Sequence, residues 1–184
     1  MLLRRALTPL RVRLPRRALS DAPAVVLATS LRDIARSGAR VVELQLPKSG
    51  DLVCRQLMCE HVGDACACRL ALALERVPHL QRLDLRNNQL RALPDAVFAL
   101  QSLEALNLAR NRLTTLSTDV QKLTQLETLD VSHNQLKTLP VEQLETLKEL
   151  QTLRVAGNDE LIRAIEDAQT LKMSEHLRNK ILLE

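Results

Sequence analysis

The sequence predicts an α/β solenoid. Strand-and-turn units stack into a short right-handed arc with a parallel sheet on its concave face, and helical caps close both ends. Three observations carry this expectation. Leucines recur in one pattern at a nearly constant period. A single asparagine interrupts them at the same place in each unit. Finally, 46% of the residues are hydrophobic but only 1% are aromatic, with no Trp or Tyr, so leucine and alanine must build the core.

Residues 1–20 stand apart. They hold six arginines (Arg4, Arg5, Arg11, Arg13, Arg16, Arg17) and no acid, interleaved with Leu, Val and Ala. That is the composition of an organellar transit peptide, which places the protein in the mitochondrial matrix. Arg17-Ala18-Leu19-Ser20 resembles a matrix-processing site cleaved after Leu19. The alternatives are a basic tail of a cytoplasmic protein and, fitting worse, a secretory signal, because arginine interrupts every apolar stretch. The leader also explains the overall charge of +4. Without it the chain has 20 basic and 22 acidic residues, so the body offers no electrostatic case for nucleic acid. No run reaches the roughly 20 apolar residues of a membrane span.

Residues 21–79 read as a helical capping region. Leu27, Leu31, Ile34 and Ala35 give 24–37 a helical period, and Gly38 suits its end. A strand follows at 41–46. Val41, Leu44 and Leu46 repeat the spacing seen later, with Ser49 where the asparagine would stand, so 41–50 reads as a weaker unit. Two more helical pieces, 51–62 and 65–77, break near Gly63 and end before Pro78. Val41 and Leu80 are 39 residues apart, which leaves either an elongated repeat or a non-repeat cap.

Residues 80–158 carry the repeat. LQRLDLRNNQLRALP (80–94), LEALNLARNRLTTLS (103–117), LETLDVSHNQLKTLP (126–140) and LQTLRVAGND (150–159) start 23, 23 and 24 residues apart. Each reads L-x-x-L-x-[LV]-x-x-N, and three continue x-L-x-x-L. Within a unit, residues such as Leu83 and Leu85 point one way and Asp84 the other. One unit cannot bury its leucines alone, so several must stack. Val97, Phe98, Leu100, Val120, Leu123, Leu144 and Leu147 supply the return path. Pro94 and Pro140 keep the preceding residue extended, and Ser117 departs from them. The pattern resembles the leucine-rich repeat family. Its 23-residue period and L-P step are similar to the intracellular subclass that includes Ras-pathway scaffolds and plant Ras-group proteins. That resemblance implies a non-catalytic protein-binding module, an adaptor or scaffold, with no cofactor. Joined to the leader, it suggests a mitochondrial assembly factor or accessory subunit of a larger complex. The subclass alone implies a cytosolic scaffold in small-GTPase signalling, and an enzyme is the distant third reading.

Residues 159–184 read as a C-terminal helical cap. Glu160 replaces the expected leucine, and Leu161, Ile165, Ala168 and Leu171 then recur at helical spacing. Asp159 and Glu160 suit a helix start.

The repeated asparagines, Asn88, Asn111, Asn134 and Asn158, are expected to be structural. A carboxamide both donates and accepts, so it can serve backbone groups that have left the sheet. Binding chemistry is expected instead on the outward strand positions of the concave face. The candidates are Arg82, Asp84, Arg86, Asn107, Arg110, Thr128, Asp130, Ser132, His133 and Arg154. Small residues floor the middle, and Arg82, Arg86 and Arg110 cluster toward the N-terminal side, which fits a protein partner carrying acidic groups. A small-molecule ligand is not expected. Gly38, Gly50, Gly63 and Gly157 are too dispersed for a phosphate loop. Asp84 and Asp130 are separated by two strand spacings, roughly 10 Å, which is loose for a catalytic pair. Cys54, Cys59, Cys66 and Cys68 lack the paired spacing of a zinc site, and buried reduced thiols are expected, with a metal site or a disulfide as the alternatives. His61, His79, His133 and His176 are scattered and form no catalytic motif.

Overall fold

The computed structural model describes residues 26–53, 67–167 and 173–183. The leader, Cys54, Cys59, Cys66, His61, Gly63, Ala168 and Leu171 therefore lie outside the described residues. Among the described residues seven strands form one parallel sheet in chain order: β1 (Val26–Ala28), β2 (Val41–Gln45), β3 (Arg82–Asp84), β4 (Ala105–Asn107), β5 (Thr128–Asp130), β6 (Thr152–Arg154) and β7 (Ile181–Leu182). The return segments lie on the other side: α1 (Leu31–Ser37), α2 (Ala67–Leu74), α3 (Asp95–Phe98), a 3-10 helix at Thr118–Lys122 and α4 (Val141–Glu145). Each of these touches the next, so the convex layer is continuous.

Register turns the sequence repeat into columns. Leu44, Leu83, Leu106, Leu129 and Leu153 stand opposite one another along the sheet, followed by Ile181. The first five are fully buried, as are Leu46, Leu85, Leu108, Val131 and Val155 two residues further on. Every unit places the same side chain in the same layer, so one leucine core runs the length of the arc. Ser117 takes the place of Pro94 and Pro140, and its Oγ accepts the Asp119 N–H at 3.2 Å, capping the 3-10 helix that follows.

Beyond each strand the chain turns inward, and the asparagines meet it there. Asn111 Nδ2 donates to Leu108 O of its own unit and Leu85 O of the unit before, both at 2.9 Å. Its Oδ1 accepts the N–H groups of Asn88 and Leu90 at 3.1 and 2.9 Å. Asn134 bridges Val131 O and Leu108 O and accepts from Leu113 N–H. Asn158 bridges Val155 O and Val131 O and accepts from Leu136 N–H. Asn88 reaches Leu85 O and Leu46 O and accepts from Ser49 N–H at 2.8 Å. All four amides are buried. Among the described residues no buried side-chain polar atom lacks a hydrogen bond.

Both ends differ from the helical reading. At the N-terminus, 26–28 is a strand, and the helix begins only at Leu31 after Ser30, whose Oγ accepts the Asp33 N–H. β2 pairs with β3 in repeat register, and Ser49 offers its backbone N–H to Asn88 as Asn88 offers its own to Asn111. The first residues of the expected 51–62 helix, Asp51 and Leu52, belong to a 3-10 turn at Gly50–Leu52. At the C-terminus, 159–184 is not one helix. An eight-residue helix, α5 (Asp159–Glu166), gives way to a short α6 (Glu175–Arg178) and then β7. The run Lys180–Leu183 is too short to show a period, yet the Leu153 N–H finds Lys180 O at 2.8 Å and Val155 N–H finds Leu182 O at 3.1 Å. The unpaired edge of β6 is what makes this strand form.

Candidate protein-binding face

The outward positions of the strands form rows across the concave face. One row runs Glu43, Arg82, Ala105, Thr128, Thr152 and the next runs Gln45, Asp84, Asn107, Asp130, Arg154. Arg86, Ala109, Ser132 and Ala156 follow two residues later in each unit. The middle is indeed low: Ala105, Asn107 and Thr128 are half-buried, and Ala109 and Ser132 are buried. A cavity of about 200 Å³ opens over this floor, walled by Glu43, Arg82, Asp84, Asp130 and Arg154.

The charges are already arranged in pairs. Arg82 lies 3.8 Å from Glu43, Arg86 3.3 Å from Asp84, and Arg154 3.8 Å from Asp130. Arg110 has no carboxylate within 4 Å among the described residues. The arginine cluster is therefore not a bare positive patch. It is a set of ion pairs in which the arginine is exposed and the carboxylate largely covered, so the guanidinium is the member that can turn to an incoming carboxylate.

Three of the row residues also support the backbone. Asp84 Oδ1 accepts Arg86 N–H, Asn107 Oδ1 accepts Ala109 N–H, and Asp130 Oδ1 accepts Ser132 N–H, all at 3.0 Å. Asp130 Oδ1 also accepts the Ser132 hydroxyl at 2.6 Å. Short polar side chains are suited to this local bond. Asp84 and Asp130 thus have one oxygen on a backbone N–H and the other on an arginine, and they lie two strands apart on either side of Asn107.

The strand exits form a rim of unusual backbone. Lys48, Asn87, Arg110 and His133 adopt positive φ of 48°, 60°, 57° and 53° at equivalent positions, and Gly157 continues the row at 67°. The His133 ring packs over Gly157, where a Cβ would overlap it. The side chains of Arg110 and His133 are exposed along this rim.

Sequence reasoning placed its ten candidates on one face but missed Glu43, Gln45 and Lys48. The signal was present, since Val41, Leu44 and Leu46 carry the repeat spacing and imply outward neighbours. Elsewhere the described chemistry is sparse. Cys68, His79, His133 and His176 are exposed. Among the described residues no three His, Cys, Asp or Glu side chains group as metal ligands, and no helix is long and apolar enough to cross a membrane.

Residues 78–136 match the family model described as leucine rich repeat. That segment of the chain is built of leucine-rich repeats. Two solved structures are similar to the chain. A leucine-rich repeat protein of Leptospira interrogans matches with a TM-score of 0.50 and 22% identity, over 71% of this chain and 36% of its own. An internalin of Listeria monocytogenes matches with a TM-score of 0.48 and 21% identity, over 72% of this chain and 36% of its own. The chain thus spans little more than a third of the length of either. No curated protein matches it.

Proposed function

We propose that this leucine-rich repeat chain is a non-catalytic adaptor that holds a protein partner in its concave groove. Members of the family generally serve as protein-interaction modules. One observation carries the reading furthest: a floor of small residues lies between exchangeable ion pairs, with Arg110 left uncompensated on the rim. Small floors admit close approach of a strand or helix. Acidic groups on the partner take Arg110 first and compete for Arg82 and Arg86. The non-glycine residues at positive φ add support, because strained backbone of this kind clusters at functional sites.

Affinity purification tests this. The full chain and an Arg82→Ala/Arg86→Ala/Arg110→Ala variant serve as baits. Specific partners should be lost by the variant, and identical retrieval by both would defeat the concave-face reading.

The setting we propose is the mitochondrion, where such a module acts as an assembly factor or accessory subunit of a larger complex. The Arg-rich, acid-free composition of residues 1–20 supports it. Residues 1–25 fused to a reporter should direct import. A cytosolic reporter would overturn the location and favour the small-GTPase scaffold that the repeat subclass implies.

A further inference from the structure

A second surface lies away from the concave face, where α1 and α2 pack side by side in the convex layer. Between them is an apolar groove of about 200 Å³ formed by Leu31, Ile34, Ala35, Leu72 and Ala73, with Arg69 and Arg76 at its ends. Ile34 is its buried floor. Leu72 is 64% exposed, more than any other large hydrophobic among the described residues. Arg69, Leu72 and Ala73 share one stripe of α2, and Arg76 follows in the turn just after the helix. An exposed leucine flanked by two arginines is an amphipathic surface without its other half.

Charge says what the other half is. Arg32 and Arg36 on α1 are exposed and join Arg69 and Arg76 around the groove. None of the four has a carboxylate within 4 Å among the described residues. Among the described residues nearby, Asp33, Asp51 and Glu75 carry the opposite charge, three against the four arginines, and Asp33 and Asp51 are held by Thr29 N–H at 3.1 Å and Leu31 N–H at 3.0 Å rather than by an arginine. Shape says the rest. A groove with a recessed floor receives a rod better than it receives a flat bilayer, and seven residues of α1 span about 10 Å, or two turns of a partner helix.

We infer that this groove docks an acidic amphipathic helix of a partner protein, its apolar stripe on Leu72 and Ile34 and its carboxylates on Arg69 and Arg76. This is the helix-in-groove mode of recognition. It is independent of the concave-face reading, since none of its residues belongs to that face.

The test uses the full chain and two labelled synthetic peptides in fluorescence anisotropy. Both place Leu at i, i+3, i+4 and i+7; one fills the other positions with Glu and the second with Lys. The Glu peptide should bind, more weakly as salt rises, and the Lys peptide should not. Leu72→Asp should weaken binding of the Glu peptide by about tenfold or more. Arg69→Glu/Arg76→Glu should weaken it similarly, and Lys148→Glu, exposed and outside both surfaces, should not. Leu72 is exposed, so these variants should fold, and circular dichroism checks that they do. The arginines of residues 1–20 are unchanged in all of them, so attraction to the leader cannot mimic the loss. Equal binding of both peptides, binding of neither, or binding indifferent to Leu72→Asp would overturn the inference. So would a concentration-dependent dimer that Leu72→Asp abolishes, which would make a second copy the occupant. Leu72-dependent binding to phosphatidylserine vesicles with no binding of the Glu peptide would make it a membrane contact instead.

Discussion

Asn134 stands among leucines because the turn after each strand presents more backbone groups than the sheet can satisfy. Its Nδ2 goes to Val131 O and Leu108 O, but each of those carbonyls also receives a second amide, from Asn158 and Asn111. Leu113 N–H is different, since Asn134 Oδ1 accepts it at 3.0 Å within the core. Asn134→Ala should therefore cost about 1–3 kcal/mol, chiefly from that stranded donor. Denaturant unfolding measures the loss, and an unchanged midpoint would refute the assignment. Arg110 presents the opposite case. Its φ of 57° costs a residue with a Cβ, and glycine at the same step of the last unit adopts 67° freely. Arg110→Gly should raise stability by about 1 kcal/mol while weakening capture of the concave-face partner. A variant that gains no stability would mean that the rim stores no strain.

Individual elements reveal what the sequence could and could not show. The strands of the four regular units were legible because each pairs two leucines with an asparagine at fixed offset. β1 and β7 were not, because three and two residues are too few to carry a period, and both form only because an adjacent strand offers an open edge. The helix around them was read as longer than it is for the same reason. The C-terminal cap is also tied to the body by a contact that no pattern announces: Glu145 on α4 accepts Ser174 N–H at 2.8 Å, just before α6. That hydrogen bond from the Ser174 backbone, helped by its hydroxyl, holds the Glu145 carboxyl below its ordinary 4.5. Because the folded value is depressed, the contact stabilises the cap above pH 4.5 and is lost as pH falls through the lower folded value. Below pH 4.5 the wild-type chain should lose thermal stability more steeply than Glu145→Gln. Parallel slopes for the two proteins would show that the cap does not depend on this charge.

Across the whole molecule, the core is a single column of leucines, and stability should pass from unit to unit through nearest neighbours. Three of the junctions between repeat strands are alike, with units 23 or 24 residues long and an asparagine on each side. The junction between β2 and β3 is not. The starts on either side are 39 residues apart, and Ser49 replaces the asparagine, so the ladder of amides ends at Asn88. That one side chain donates to Leu46 O at 2.6 Å and accepts from Ser49 N–H at 2.8 Å. This imbalance was visible only in part from sequence: the serine could be seen at the asparagine position, but not that its backbone rather than its hydroxyl makes the bond. The consequence concerns cooperativity more than any local energy. In the middle of the array, loss of one amide leaves neighbours on both sides to hold the register. At Asn88 the ladder has no further rung toward β1. Asn88→Ala should therefore uncouple β1 and β2 from the repeats that follow. Denaturant unfolding should split into two transitions, the first with a smaller slope than the single wild-type one, and amide exchange in residues 41–46 should quicken before that in 103–111. Asn111→Ala should instead lower one cooperative midpoint. If Asn88→Ala also unfolds in a single step with the wild-type slope, the leucine column alone couples β1 and β2 to the array, and the amide there is no more than one hydrogen-bonded group among many.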